Sequence, residues 1–207
     1  YRLKESRADR KIGAEITRLA RTLHGVLMFR KPLELTRAMR ELGWTAEKYA
    51  AMRLRSARAL ARYQVRVALR SSRAALWEHL HGTEAAKAKF KLPTLDKSES
   101  GEVLLRLAQA EEDGPPHVSV DFRSLLPQWL LDRQAHVEAC EAERGIYEHI
   151  GDLCEQLSDG RERAKAAHLH ELLDEHQMVV AFDSRPITLA VMRKLVERPG
   201  LEVLLAS

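Results

Sequence analysis

Residues about 46–80 run for thirty-five positions with neither glycine nor proline. Strands are rarely longer than about ten residues, and an uninterrupted stretch of this length is a helix signal. Thr45 stands just before it as an N-cap, after the Gly43-Trp44 break. The same stretch carries Arg55, Arg58, Arg62, Arg66, Arg70 and Arg73, spaced 3, 4, 4, 4 and 3 apart. On one continuous helix these positions fall along a single stripe. A row of like charges repels itself by a few tenths of a kcal/mol per pair. A phosphate backbone offsets that cost by releasing counterions. Few aromatic residues accompany the stripe (Tyr49, Tyr63, Trp77), so contact with a duplex backbone is expected rather than single-strand stacking. The other ordinary uses of such a stripe are a solvated face or a face docked on acidic residues.

Charge is divided along the chain. Residues 1–73 hold 19 Lys/Arg against 6 Asp/Glu, and the remainder hold 15 against 24. This pattern suggests a polyanion-facing first half, or two halves that face each other. Hydrophobic residues make up 45% and charged residues 31% of the chain, which excludes a disordered chain. No apolar run approaches the ~20 residues of a membrane span, so no membrane partner is expected. Cys140 and Cys154 have neither metal-knuckle nor CxxC spacing, which suggests reduced thiols and a cytoplasmic setting. The N-terminal YRLKESRADRK lacks both a leader-type apolar core and an initiator Met, so the chain is expected to be an excised piece.

The rest of the chain divides at its breakers. Helices are expected at about 8–24, at PLELTRAMREL (32–42), over GEVLLRLAQAEED, at about 128–157 with a bend at Gly145 or Gly151, and at 161–175. The segment 81–101 is expected to be a mobile connection, and HVSVDF, 117–122, a short strand. MVVAFD, 178–183, is a compact β-branched run. A helix follows, capped by Ser184 and carrying Pro186 in its first turn, and then LEVLLAS, 201–207. Together these read as β-α-β, a unit that cannot cover both faces of a sheet alone. The expected fold is therefore mainly α, ending in an incomplete α/β lobe. Four regions follow: basic helical 1–90, a connection at 91–122, a helical hairpin at 123–176 and the β-α-β at 177–207.

The chemical motifs along the chain are incomplete. Asp174-Glu175-His176 has the letters of a helicase acidic box, but the segment before it, KAAHLHELL, is helical where an apolar strand is required. No GxxxxGK[ST] loop occurs, so the triplet is expected to be a polar helix end. His79/His81 and His168/His170 are i, i+2 pairs that diverge by about 200° on a helix, which is poor for a shared metal. No GxSxG elbow is present, and FDSRPITL lacks the GxGxxG fingerprint. Asp183, Ser184 and Arg185 fall at the carboxyl end of the first expected strand, where α/β sheets bind ligands.

ERGIYEHIGDLCEQL, RAKAAHLHELLDEHQ and MVVAFDSRPITLAVMRKLVER, in that order, resemble the entry into the second RecA-like lobe of Swi/Snf-type superfamily-two DNA translocases. Glu143 to Tyr147 match one signature, and Lys165 to Leu173, with Leu169 and Leu172, match the next. The strand Val179 to Asp183 would be helicase motif IV, its region comprising Phe182, Asp183, Ser184 and Arg185. KFKLPTLDKS is similar to the Leu-Pro segment that leads towards this lobe. The match covers about 141–207. It implies a nucleic-acid-dependent ATPase as parent, whose other lobes would be partners and which would use ATP and Mg. This chain itself lacks the phosphate loop, the acidic box and the arginine finger, so no cofactor of its own and no catalytic residue is expected. Its share would be coupling between lobes and contact with the DNA backbone. Two other readings stand beside it. One is a helical interaction or regulatory module, with the arginine stripe paired to acids of 99–175. The other is a nucleotide-binding fragment using Asp183–Arg185.

Overall fold

The computed structural model describes residues 5–93 and 102–205. Among these residues the chain is mainly helical. In order the helices are α1 (Arg7–Ala20), α2 (Arg37–Glu41), α3 (Ala46–Ser71), α4 (Arg73–His81), α5 (Thr83–Phe90), α6 (Val103–Asp113), α7 (Arg133–Gln156), α8 (Gly160–Glu175) and α9 (Pro186–Val196). The chain separates into two compact units, one of residues 18–64 and 104–149, the other of 1–17, 65–103 and 150–207.

The first unit is built around Phe29, Leu33, Ala50, Ala57, Phe122, Leu126 and Leu130. Its aromatic rings meet edge to face, Phe29 with Trp129 at 5.4 Å and Tyr49 with Phe122 at 5.8 Å, which is a favoured geometry for ring quadrupoles. Arg53 lies over both Phe29 and Tyr49 and donates to the Met28 carbonyl, so this arginine belongs to the core wall. Leu33 pairs with Val118 in an isolated parallel bridge, through Leu33 N to His117 O at 2.9 Å and Ser119 N to Leu33 O at 3.1 Å. That bridge corrects two expectations. The helix expected from Pro32 starts only at Arg37, after Thr36 caps it by accepting from Met39 N. The strand expected at 117–122 is reduced to this one bridge, and Val120–Phe122 close into a 3-10 turn. GVLMF forms another such turn, Val26–Phe29.

In the second unit α9 packs against α4, α5 and α8, with Ala74, Ala75, Ala86 and Ile187 buried between helices. The single helix expected over 46–80 is in fact two. Ser72 leaves helical geometry (φ −165°, ψ 166°), and its hydroxyl accepts from Ala75 N, so it is the N-cap of α4. Part of the expected mobile connection is also ordered, since residues 83–90 form α5. Residues 94–101 of it, and with them the Leu-Pro segment beyond Pro93, lie outside the described residues. At the start of α1, Ser6 accepts from Asp9 N at 2.9 Å and donates to Asp9 Oδ2, a reciprocal cap. The Asp9 carboxylate reaches on to Ser158, accepting from its N–H at 2.9 Å and its hydroxyl at 2.6 Å, just before α8.

Among the described residues the expected β-α-β does not form, and residues 206–207 of its second strand lie outside them. α9 exists with Pro186 at its first position, but 178–183 and 201–205 form no strand. A strand needs a ladder partner for its backbone groups, and the two stretches do not pair. Met178, Val180, Phe182 and Leu204 stand exposed, Phe182 at 91%. The cap differs as well, because Arg185 rather than Ser184 occupies the N-cap position and makes no side-chain cap. Among the described residues no helix is long and apolar enough to cross a membrane.

Candidate nucleic-acid interface

In the first unit, Arg55 and Arg58 are exposed on α3, and Arg62 is half-buried with its Nε lacking a partner. The turn of α3 that carries Ala57 and Arg58 is pressed by the 24–26 loop. Gly25 has φ +77°, and a Cβ placed on it would lie 2.5 Å from the Ala57 carbonyl oxygen. Only glycine combines that backbone conformation with that approach. The loop is held by Glu143 of α7, which is buried. Its Oε2 accepts from the N–H groups of His24 (3.0 Å), Gly25 (2.9 Å) and Val26 (3.4 Å). Burial pushes the Glu143 carboxyl above its usual range, and the three backbone donors oppose that shift without cancelling it. His24 sits at the edge of this arrangement. It is exposed overall, yet partial desolvation of its ring, and then the Arg58 charge, hold its proton affinity below the ordinary imidazole value.

In the second unit, Arg66 and Arg70 are exposed on the last turns of α3. Arg73 is not. It lies beyond the Ser72 break and is turned inward, where Nη1 donates to the Leu157 carbonyl at 2.6 Å and the guanidinium lies over Phe90. Its backbone N–H donates to Glu162. The stripe of six is therefore four exposed arginines, with Arg62 half-covered and Arg73 structural. Among the described residues no carboxylate forms an ion pair with Arg55, Arg58, Arg66 or Arg70. Some described acids of 99–175 pair with other cations, as Glu111 does with Arg144, Glu155 with Lys89 and Asp174 with Arg198.

The motif IV region resolves into separate roles. Phe182 and Ser184 are exposed, and Asp183 and Arg185 are half-buried. Asp183 Oδ1 accepts from the Ser71 hydroxyl at 2.5 Å and from Arg185 N at 2.9 Å. Ser71 and Ser72 both share hydrogen bonds with the Thr188 hydroxyl of α9, at 2.6 and 2.8 Å. Lys165 of α8 donates to the Ser71 and Arg70 carbonyls, and desolvation holds its ammonium below the usual lysine value despite the nearby Asp183 and Glu162 charges. This polar cluster ties the α3–α4 break to the start of α9.

The remaining candidates settle into structure. Tyr147 of the Glu143–Tyr147 signature is buried, and burial pushes its phenol up. Asp174 and Glu175 end α8, and His176 is its C-cap, as expected for a polar helix end. His79 is buried, His81 stacks on Trp77 at 4.1 Å, and His168 meets Glu171 at 3.0 Å. Among the described residues no group of three His, Cys, Asp or Glu could hold a metal ion. Both cysteines are free and buried, and burial pushes their thiols up, to about 11 for Cys140 and about 12 for Cys154, so neither is a thiolate near neutral pH. Sequence reasoning passed over His24, Asp9, Ser71 and Thr188. A local signal existed for Asp9, in the Ser6-x-x-Asp9 spacing, and for His24, in the glycine that follows it. The Ser71–Thr188 pairing, 117 residues apart, has no local signal.

No protein-family model, curated protein or solved structure matches the chain.

Proposed function

We propose that the chain is a nucleic-acid-contacting segment of a nucleic-acid-dependent, helicase-like ATPase, and that it holds the sugar-phosphate backbone through exposed arginines of α3. One observation supports this above the others: Arg55, Arg58, Arg66 and Arg70 are exposed on one helix and have no carboxylate partner among the described residues. Arginine carries planar donors suited to phosphate and never loses its charge, so Arg55 and Arg58 in the first unit, and Arg66 and Arg70 in the second, each suit an outside phosphate. The resemblance of the helical segments ERGIYEHIGDLCEQL and RAKAAHLHELLDEHQ to the entry of a Swi/Snf-type second lobe suggests the parent activity and the coupling role, while the motif IV strand of that resemblance is not formed. ATP and Mg belong to that parent. The sequence has no phosphate loop, and Asp183 hydrogen-bonds Ser71 and Arg185, so a nucleotide role at Asp183–Arg185 is not part of this proposal. No hydrolytic step is assigned to it.

The test is duplex affinity measured against salt. Replacing Arg55 and Arg58 by Ala, and separately Arg66 and Arg70, is expected to weaken binding across all sequences. The slope of log K against log salt should fall by about 0.9 for each phosphate that is no longer neutralised. Affinity and slope equal to those of the parent chain in both variants would remove the nucleic-acid reading and favour a helical protein-interaction module.

A further inference from the structure

Beside Arg58 the first unit presents a second, weaker base whose backbone is fixed by buried groups. His24 donates its N–H to Glu143, and the next residue, Gly25, is seated against Ala57, the residue before Arg58. His24 is therefore anchored at the turn of α3 that carries Arg58. Its side chain remains exposed, flanked on one side by Trp129 at a ring-centroid distance of 6.3 Å. The charged group that acts on its ring is Arg58 from α3, while Glu143 from α7 meets only its backbone N–H. Glu143 spends its Oε2 on three backbone N–H groups. Arg58 has no carboxylate partner among the described residues. The arrangement anchors His24 at the turn of α3 that carries Arg58, over buried scaffolding.

We propose that His24 joins Arg58, with Arg55 one turn away, in gripping a backbone phosphate of the nucleic acid, and that it makes the grip depend on pH. The inference rests on the phosphate-contact reading of Arg55 and Arg58. In the free chain partial desolvation, and then the Arg58 charge, oppose protonation of His24. A phosphate between the two reverses that opposition, because the anion favours the imidazolium and supplies an acceptor for its N–H. By linkage, a ligand that raises a group's proton affinity binds more tightly to the protonated form. Affinity is then highest below the His24 midpoint of the free chain and declines as pH rises through the midpoint of the complex.

The experiment uses the full chain and a short DNA duplex at constant ionic strength, at about pH 5.5 and about pH 8, either side of the imidazole range. The parent chain is expected to bind about three- to tenfold more tightly at the lower pH. A rise of one pKa unit on binding corresponds to a factor of ten. His24→Gln should lose that His24-dependent factor while keeping the affinity seen at the higher pH. His24→Arg should bind at both values as the parent does at the lower one. The His24 ring resonance, titrated with and without duplex, should show its midpoint moving upward on binding. If His24→Gln keeps the full pH ratio, or the midpoint does not move while Arg55→Ala/Arg58→Ala weakens binding, the His24 role is overturned and the arginine reading stands. If the arginine variant binds as the parent does, both fall. An equal midpoint shift with anionic lipid vesicles at lower phosphate concentration than duplex would overturn nucleic acid as the ligand.

Discussion

The N–H of Gly25 donates to Oε2 of Glu143 at 2.9 Å, in the buried interior of the first unit. The same oxygen takes the N–H groups of His24 and Val26, so one carboxylate satisfies a whole turn of backbone donors. A buried donor left without a partner costs about 1–3 kcal/mol. Glu143→Ala is therefore expected to lower stability by about 2–4 kcal/mol in total. Glu143→Gln retains one acceptor and should cost about half as much. Urea unfolding midpoints would measure both. A Glu143→Ala midpoint within error of the parent would refute the role given to this carboxylate.

Gly25→Ala tests the other side of the same junction. The methyl group would be 2.5 Å from the Ala57 carbonyl oxygen, at φ +77°. Strain of this kind costs of order 1–3 kcal/mol before the clash is added. The loop should move off α3, with faster amide exchange at residues 24–29 and a lowered melting temperature. Unchanged exchange there would contradict the close approach.

Acid sensitivity should trace to Asp9. Its desolvation acts to raise the carboxyl pKa, but hydrogen bonds from Ser158 and Ser6 and the Arg161 charge outweigh it, so the folded-state value lies below the ordinary one. The sign follows from linkage. The stabilisation is present above the unfolded-state value, near 3.9 for Asp, and is lost as pH falls through the lower folded-state value. Asp9→Asn should flatten this part of a melting-temperature profile below about pH 4. A variant that keeps the full acid-side slope would show that another carboxylate carries it.

The Ser71–Asp183 pair should behave as one energetic unit with Thr188. A double-mutant cycle of Ser71→Ala and Thr188→Val is expected to give a coupling of about 0.5–3 kcal/mol, because the hydroxyls share one buried network. Additive effects would mean that the bonds contribute independently of one another.

Much of this architecture was legible in the chain, for reasons that differ from place to place. The ends of α7, α8 and α9 fall near SDG, His176, Pro186 and Pro199-Gly200, where local chemistry alone interrupts a helix. Ser72 was not legible. Serine is a tolerated helix residue, and Ser72, which caps α4 by accepting from Ala75 N, also meets Thr188 from 116 residues away. MVVAFD has strand composition, but composition describes how a residue fits a sheet and cannot supply the neighbouring ladder. The arginine stripe was legible as a periodicity. That Arg73 departs from it depends on the same break at Ser72, after which the helix axis no longer carries the old spacing.

The distance in sequence between Glu143 and Gly25, 118 residues, also fixes an order of events during synthesis. Ribosomes add about 5–20 residues per second, so the 24–26 turn waits on the order of 6–24 s before its carboxylate has been made. Over that interval the turn has only water to meet its N–H groups. Any early structure in the first unit must form without it, and the turn closes on α3 only once the segment that becomes α7 has been translated.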